Sequence, residues 1–343
     1  MIASIPSPTS DSLNIGPLHL RFYGLMIALG VIAAVMLARR LLARKGADPE
    51  LIVDLAMWAV PAGLIGTRIY HVVTDYSTTY CGLPGCPKAV FWDAFKIWEG
   101  GLGIPGGIAA GFLVGWWYCR RKKIDIKLIM DVVAPALPLA QAIGRFGNYF
   151  NQELFGRPTS LPWGLRITNP ARLFEAQQKY PGATVFHPTF LYESLWNLGV
   201  MTVLLLMDRT GKLRRGKLFP AYIGLYFLGR MWVEELRIDK AAHVGGLRWN
   251  FLLSVIMIVV GLVWFLWGGF RATPEEQTEY AAMAAAGPGG GSAEAEEGVA
   301  EGGPEVDGPG SEVDVAEPDG GEVAVGVDPA EGAAGTEVAE GPD

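Results

Sequence analysis

Residues 144–156 read Gly-Arg-Phe-Gly-Asn-Tyr-Phe-Asn-Gln-Glu-Leu-Phe-Gly and follow directly on an apolar run. Arg145, Asn148 and Asn151 are spaced by three, so a continuing helix carries all three on one face. Glu153 comes next, and Gly156 breaks the pattern. An arginine, two amides and a carboxylate where a helix leaves an apolar layer make a polar pocket. An interfacial cap with a snorkelling arginine would explain the arginine but not the whole cluster. A second stripe lies further on. Tyr226, Arg230, Glu234 and Arg237 fall at i, i+4, i+8 and i+11, along one side of a helix. The plain alternative there is an intrahelical Arg230–Glu234 pair that only packs. Guanidinium groups grip an oxyanion with two donors at once and keep their charge. Two of them from two helices would bind one phosphate and stabilise the charge that grows as a phosphate oxygen departs.

Further polar residues stand within or beside apolar stretches. Arg68 follows Gly63-Leu-Ile-Gly-Thr, with His71 one turn later, near a stretch end where an arginine can snorkel. Asp54 and Asp131, near the opposite ends of theirs, are expected to pair with nearby Lys or Arg. His187-Pro-Thr-Phe-Leu-Tyr-Glu193 looks like a helix start at Pro188 and Thr189. His187 then serves as a cap, and His187, Tyr192 and Glu193 lie at the outer surface. The glycine-rich run 100–111 either permits close helix approach or exposes backbone N–H groups to a ligand. Cys81 and Cys86 flank Gly-Leu-Pro-Gly and are either a disulfide or two free thiols.

The elements that position these residues are apolar. The chain has 343 residues, 50% hydrophobic and only 18% charged, where soluble chains carry about 25% charged residues. Seven apolar stretches run over about 22–42, 51–73, 102–119, 128–143, 190–207, 218–233 and 249–270. Crossing hydrocarbon takes about 20 residues of helix, roughly 17 at least, so the sixth is marginal. Backbone polar groups cannot be left bare in lipid, so the spans must be helices. The expected fold is an all-α integral membrane protein of seven transmembrane helices. Basic clusters follow the first, third, fifth and seventh stretches, including Arg39, Arg40, Arg120, Lys122, Lys212 and Arg214. The side dense in Lys and Arg is cytoplasmic. This puts the N-terminus outside and the C-terminus in the cytoplasm. From Glu275 onward there are nineteen Asp and Glu and no Lys or Arg, so the front part carries +12, the tail −19 and the chain −7. The acidity is therefore the tail's alone. Residues 272–343, rich in Ala, Gly, Glu and Pro, are expected to be a disordered cytoplasmic tail behind a membrane domain of residues 1–271.

These residues resemble the prolipoprotein diacylglyceryl transferase family of bacteria. The 144–156 segment looks like its signature. In the same order along the chain come Arg21-Phe-Tyr-Gly-Leu-Met, Gly66-Thr-Arg68, Trp98-Glu-Gly-Gly, the His187–Glu193 segment and the Tyr226/Arg230/Glu234/Arg237 stripe. The resemblance implies transfer of the diacylglyceryl group of phosphatidylglycerol to the lipobox cysteine of a prolipoprotein. The site then faces the outer side of the bacterial cytoplasmic membrane. It implies no metal and no cofactor. Membrane lipid and the prolipoprotein signal peptide are the expected partners, without nucleic acid, and the protein is expected to be a monomer. By position, Arg145, Arg230, Tyr226, Tyr23 and Glu153 are the implied catalytic residues. Asn148, Asn151, Gly156, Arg68, Glu234, Arg237, His187, Tyr192 and Glu193 join Arg145 in holding substrate. One departure stands out: many members carry a histidine just before the glycine pair that is here Gly106-Gly107, and this chain has Pro105.

The residues suit that chemistry without the family. Nearby arginine favours a thiolate, so both the attacking sulfur and the departing phosphate gain from positive charge. The competing class is a receptor or a carrier for an anionic solute. Carriers are often built from internal repeats, and none is visible between stretches one to three and four to six. Because Pro105 removes the usual histidine, no single histidine among His19, His71, His187 and His243 is expected to be indispensable. Activity should rise with pH toward the thiol pKa and flatten, without a limb near about 6.5. Single His→Gln variants assayed across pH check this. A loss of about a thousandfold in one folded variant would identify that histidine as the base.

Overall fold

The computed structural model describes residues 4–16, 18–74, 103–239 and 243–286. The Cys81/Cys86 pair and the Trp98-Glu-Gly-Gly match lie outside them. Seven long helices make the body: α1 (Phe22–Arg44), α2 (Glu50–Thr74), α3 (Ile104–Arg121), α4 (Ile126–Phe150), α6 (Thr189–Arg209), α7 (Leu218–Leu236) and α8 (Trp249–Leu266). The short α5 (Pro170–Lys179) lies between α4 and α6, and α9 (Pro274–Ala286) follows α8. Five helices, α1, α2, α4, α6 and α8, are long and apolar enough to cross a membrane. The other two fall short for visible reasons. The 18 residues of α3 include Arg120, Arg121 and four glycines, and α7 carries Arg230, Glu234 and Glu235. Large apolar side chains such as Ile32, Trp58, Phe112 and Leu262 point outward. An apolar exterior of this kind belongs in lipid rather than water.

Helix α4 is the centre of the bundle. It packs against α1, α6 and α7, while α2 pairs with α3 and α7 with α8. Its buried face is built of small or rigid residues, Ala134, Pro135, Ala136, Pro138, Ala142 and Gly147, which let neighbouring backbones come close. The glycine-rich run is used in the same way. A Cβ on Gly106 would sit 2.2 Å from the Gly66 carbonyl oxygen, so these glycines set the α2–α3 approach. Pro105 lies in the first turn of α3, where a missing N–H costs nothing.

At the end where α4 and α7 begin, Asp131 behaves differently from expectation. It accepts hydrogen bonds from the backbone N–H groups of Gly216 (2.7 Å) and Leu218 (3.1 Å), and so caps α7. Asp54 accepts from the Tyr118 hydroxyl at 3.2 Å. Among the described residues neither forms a salt bridge with Lys or Arg, and a backbone or hydroxyl donor is fixed beside each. Lys217 donates to the carbonyls of Trp264 (3.1 Å) and Trp267 (2.5 Å) at the end of α8.

At the other end, residues 152–188 form a small cap on the bundle. Strands β3 (Leu165–Arg166) and β4 (Val185–Phe186) pair antiparallel, after a first hairpin of β1 (Ser12–Ile15) and β2 (Leu18–Arg21) near the N-terminus. The cap buries Phe155, Leu165, Ile167, Ala176, Phe186 and Phe190. The N-terminal arm joins it, with Ile5 beside Leu165 and the Tyr149 hydroxyl donating to the Pro6 carbonyl at 2.8 Å. Gln152 anchors the cap, its side-chain oxygen accepting from the N–H groups of Thr168 (2.8 Å) and Asn169 (2.9 Å). A third hairpin, β5 (His243–Val244) and β6 (Leu247–Arg248), leads from α7 into α8.

The start of the tail corrects the expectation of disorder from residue 272. Residues Pro274–Ala286 are helical. Thr273 and Glu276 cap one another: the Thr273 N–H donates to the Glu276 carboxylate at 2.8 Å, and the Glu276 N–H to the Thr273 hydroxyl at 3.3 Å. This reciprocal cap, followed by alanines, is a strong local helix signal. Glu276 also pairs with Arg214 at 3.2 Å, and the Ala272 N–H donates to the Lys212 carbonyl at 2.8 Å. A chain ending at Ala286 is expected to unfold in detergent within about 2 °C of the full-length protein, because all these contacts remain. One ending at Gly269 should melt about 5 °C lower. Tryptophan fluorescence reads both, and a large drop for the longer variant would make the remaining tail structural.

Candidate active site

The site is built on two helix ends and two helix starts. Arg145 stands near the end of α4, Glu193 in the second turn of α6, Arg230, Glu234 and Arg237 at the end of α7, and Arg248 at the start of α8. The helices alternate in direction, so all six side chains meet at the end of the bundle that carries the cap. Glu193 is turned inward, with 6% of its side chain exposed. Its Oε2 atom lies 2.6 Å from Arg145 Nη2 and 3.4 Å from Arg230 Nη1. The reason is charge: two guanidinium groups inside an apolar bundle need a counter-ion, and α6 is the element between them.

Both expected stripes form, and each runs on into further partners. Arg145 Nη1 donates to Asn148 Oδ1 at 3.4 Å. Asn148 and Asn151 both donate to Glu153 Oε1, at 2.9 and 3.3 Å. Positive φ angles at Gln152 and Leu154 turn the chain sharply here, which lets Glu153 fold back over the last turn of α4. Its other oxygen lies 3.4 Å from Arg172 Nη2 on α5. On α7, the Arg230–Glu234 pair is present at 3.0 Å. Arg230 also reaches Glu193. Glu234 is fully buried, and Arg248 approaches its Oε1 atom at 2.8 Å. Arg237 is paired through Nε with Asp239 at 2.7 Å.

Other expected residues take different places. Gly156 is a junction of three segments. Its N–H donates to the His187 carbonyl at 2.9 Å, and the next N–H, of Arg157, donates to the Leu236 carbonyl at 2.9 Å. A Cβ there would sit 2.9 Å from His187 Cβ and 3.1 Å from the Leu236 oxygen. Its place is one of close backbone approach. The His187 imidazole does not cap α6 but meets the Tyr192 hydroxyl at 3.1 Å, which also accepts from Trp163 Nε1 at 3.1 Å. Burial pushes the His187 imidazole down from its ordinary value, which favours the neutral ring. Tyr23 lies over Gly147 on α4. Arg68 is buried on α2 and belongs to the α2–α3 pair.

The residues that sequence reasoning missed are Arg172, Asp239, Arg248, Asn250 and Asn197. Arg172 and Arg248 lie outside both stripes. An arginine immediately before the last apolar stretch was the available signal for Arg248. Asn197 is one turn beyond Glu193 and 2% exposed. It lines a small cavity with Glu193, Tyr226 and Arg230. Beside this cavity an apolar groove of about 520 Å³ runs between α6 and α7, past Leu195, Trp196, Val203, Leu225 and Trp232. Trp196 borders both. No group of three or more His, Cys, Asp or Glu able to hold a metal occurs among the described residues.

An apolar helical bundle that gathers guanidinium groups at one end, beside an apolar groove, is a membrane protein with a cationic site. The chain belongs to the prolipoprotein diacylglyceryl transferase family, whose model matches residues 11–267. Three relatives carry the name phosphatidylglycerol–prolipoprotein diacylglyceryl transferase. That of Frankia alni is 48% identical over 263 residues, covering 77% of this chain and 67% of the relative. That of Streptomyces coelicolor is 46% identical over 267 residues, covering 76% and 74%. That of Rhodococcus jostii is 43% identical over 273 residues, covering 77% and 75%.

Lysine keeps the charge of arginine but cannot bridge two oxygen atoms of one anion. Arg145→Lys and Arg230→Lys are therefore each expected to insert and melt normally yet lose about a hundredfold or more in turnover. Steady-state transfer rates check this. Near wild-type rates in either variant would remove that arginine from the reaction.

Proposed function

We propose that this chain transfers the diacylglyceryl group of phosphatidylglycerol to the lipobox cysteine thiol of a prolipoprotein, with Arg145 and Arg230 holding the phosphate. The observation that carries this is the charge balance of the cluster. Among the described residues, Arg145, Arg230, Arg237 and Arg248 are joined to Glu193, Glu234 and Asp239. Four guanidinium groups against three carboxylates leave one positive charge beside an apolar groove. A phosphodiester carries one negative charge, so bound phosphatidylglycerol neutralises the site. The α6–α7 groove offers apolar surface to its acyl chains, adjacent to Arg230.

In the reaction the cysteine sulfur attacks the glycerol carbon of the diacylglyceryl group. A C–S bond forms, the C–O bond to phosphate breaks, and glycerol phosphate leaves with the bonding electron pair. The thiol proton passes to solvent or to the departing phosphate. Arg145 and Arg230 draw the phosphate into the cluster and offset the charge growing on its oxygen. The same positive field favours the thiolate, so the arginines serve both ends of the reaction. Tyr23 and Tyr226 flank the reacting groups, and Glu153 with Asn148 and Asn151 holds the Arg145 side chain in place. The membrane part, residues 1–271, performs the transfer without the tail.

In this reading α3 and α7 cross the membrane with the five more apolar helices, giving seven spans. The basic loops face the cytoplasm and the capped end faces outward. One experiment tests activity and orientation together. The protein is placed in right-side-out and inside-out vesicles containing labelled phosphatidylglycerol, and a lipobox peptide is added outside. Peptide lipidation is expected only in the right-side-out vesicles. Lipidation confined to the inside-out set would reverse the orientation, and uptake of an anionic solute with no lipidation in either would favour a carrier.

A further inference from the structure

We propose that Arg248, at the start of α8, is a positioning residue that sets the pose of the phosphate-gripping Arg230. The proposal rests on the transferase reading above. Arg248 touches none of the atoms that react. It acts through Glu234, the fully buried carboxylate between the two arginines. Arg248 Nε and Nη2 both approach Glu234 Oε1 at 2.8 Å, and Asn250 Nδ2 donates to the same oxygen at 3.2 Å. Held in this way, Glu234 presents its other oxygen to Arg230 at 3.0 Å. Arg230 in turn reaches Glu193 and, through it, Arg145.

The rest of the Arg248 guanidinium is also committed. Nη1 donates to the backbone carbonyls of Arg237 (3.4 Å) and Asp239 (3.2 Å), where the chain leaves α7. The Arg248 backbone is itself fixed, paired with His243 in the β5–β6 hairpin and serving as the N-cap of α8. A planar fork with donors on three sides can hold one carboxylate oxygen and two carbonyls together, whereas a lysine ammonium cannot reproduce that geometry. Glu234 also lies 3.9 Å from Arg237. Without Arg248, its carboxylate is free to turn toward Arg237 and release Arg230. A displacement of about 1 Å at a catalytic group costs on the order of a hundredfold in rate.

The test uses the full-length protein in lipid nanodiscs with phosphatidylglycerol and a lipobox peptide. Wild-type transfer is the control for the transferase reading. Its absence would refute that reading, and the labelling arm below would then judge the Arg248–Arg230 link alone. Arg248→Lys and Arg248→Ala are each compared with Arg230→Lys and with the corresponding double variants. The expected result is a kcat about tenfold to a hundredfold lower, with a smaller change in KM for phosphatidylglycerol. In the Arg230→Lys background the same substitution should add little, because both act through one guanidinium. Arg248→Lys, which retains the charge, covers the case in which the alanine variant does not fold. In parallel, phenylglyoxal labelling read by mass spectrometry is expected to show Arg230 reacting severalfold faster in the Arg248 variants. Wild-type kcat, multiplicative losses in the double variants, or unchanged Arg230 labelling would each overturn the proposal.

Discussion

The Glu193 carboxylate between Arg145 and Arg230 is the interaction on which the rest of this structure depends. Arginine does not shed its proton in a protein, so a guanidinium inside an apolar bundle must be answered by an anion. A buried pair is seldom a net source of stability, but removing one partner costs about 3–5 kcal/mol. One glutamate of α6 meets this need for two helices at once. It thereby sets the azimuth of α4, α6 and α7 about the shared centre. The small buried residues of α4 follow from that demand, since long side chains would hold the helices too far apart for 2.6 and 3.4 Å contacts.

The same arrangement explains why the signature segment ends in glycine. After α4 the chain must turn back sharply enough to lay Glu153 over Asn148 and Asn151. It must then pass between the start of α6 and the end of α7. Gly156 is the crossing point, hydrogen-bonded to one and adjacent to the other. A side chain there would push apart the two helices that carry Glu193 and Arg230. Its importance to the site is thus mechanical, exerted through the backbone.

Much of this was legible in the sequence. The spacing of Arg145, Asn148 and Asn151 and the stripe from Tyr226 to Arg237 specified two polar faces correctly, because helical periodicity is local. What each face would meet was not legible. That Glu193 turns inward was not legible, because a helix start shows which residues share a face but not where that face points. Arg248 and Arg172 carry no periodic mark, and their partners lie 14 and 19 residues away, brought near by hairpins and turns. Asp131 was misjudged for a related reason: its donors are backbone groups 85 and 87 residues distant, which have no residue type to recognise. The first turns of the tail were missed because its overall composition masked the reciprocal cap of Thr273 and Glu276.

The position of Arg248 also bears on how the protein is made. Helix α7 leaves the ribosome before α8, and with Arg230, Glu234 and Glu235 it is too charged to rank with the more apolar helices. Until residue 248 has been synthesised, Glu234 has no cation on its far oxygen. The ion pair that completes the Glu234 carboxylate therefore forms only once α7 and the start of α8 fold together. The charge balance of the cluster is thus completed late in synthesis. A chain truncated before α8 lacks Arg248 and Asn250 and leaves the buried Glu234 carboxylate short of two partners.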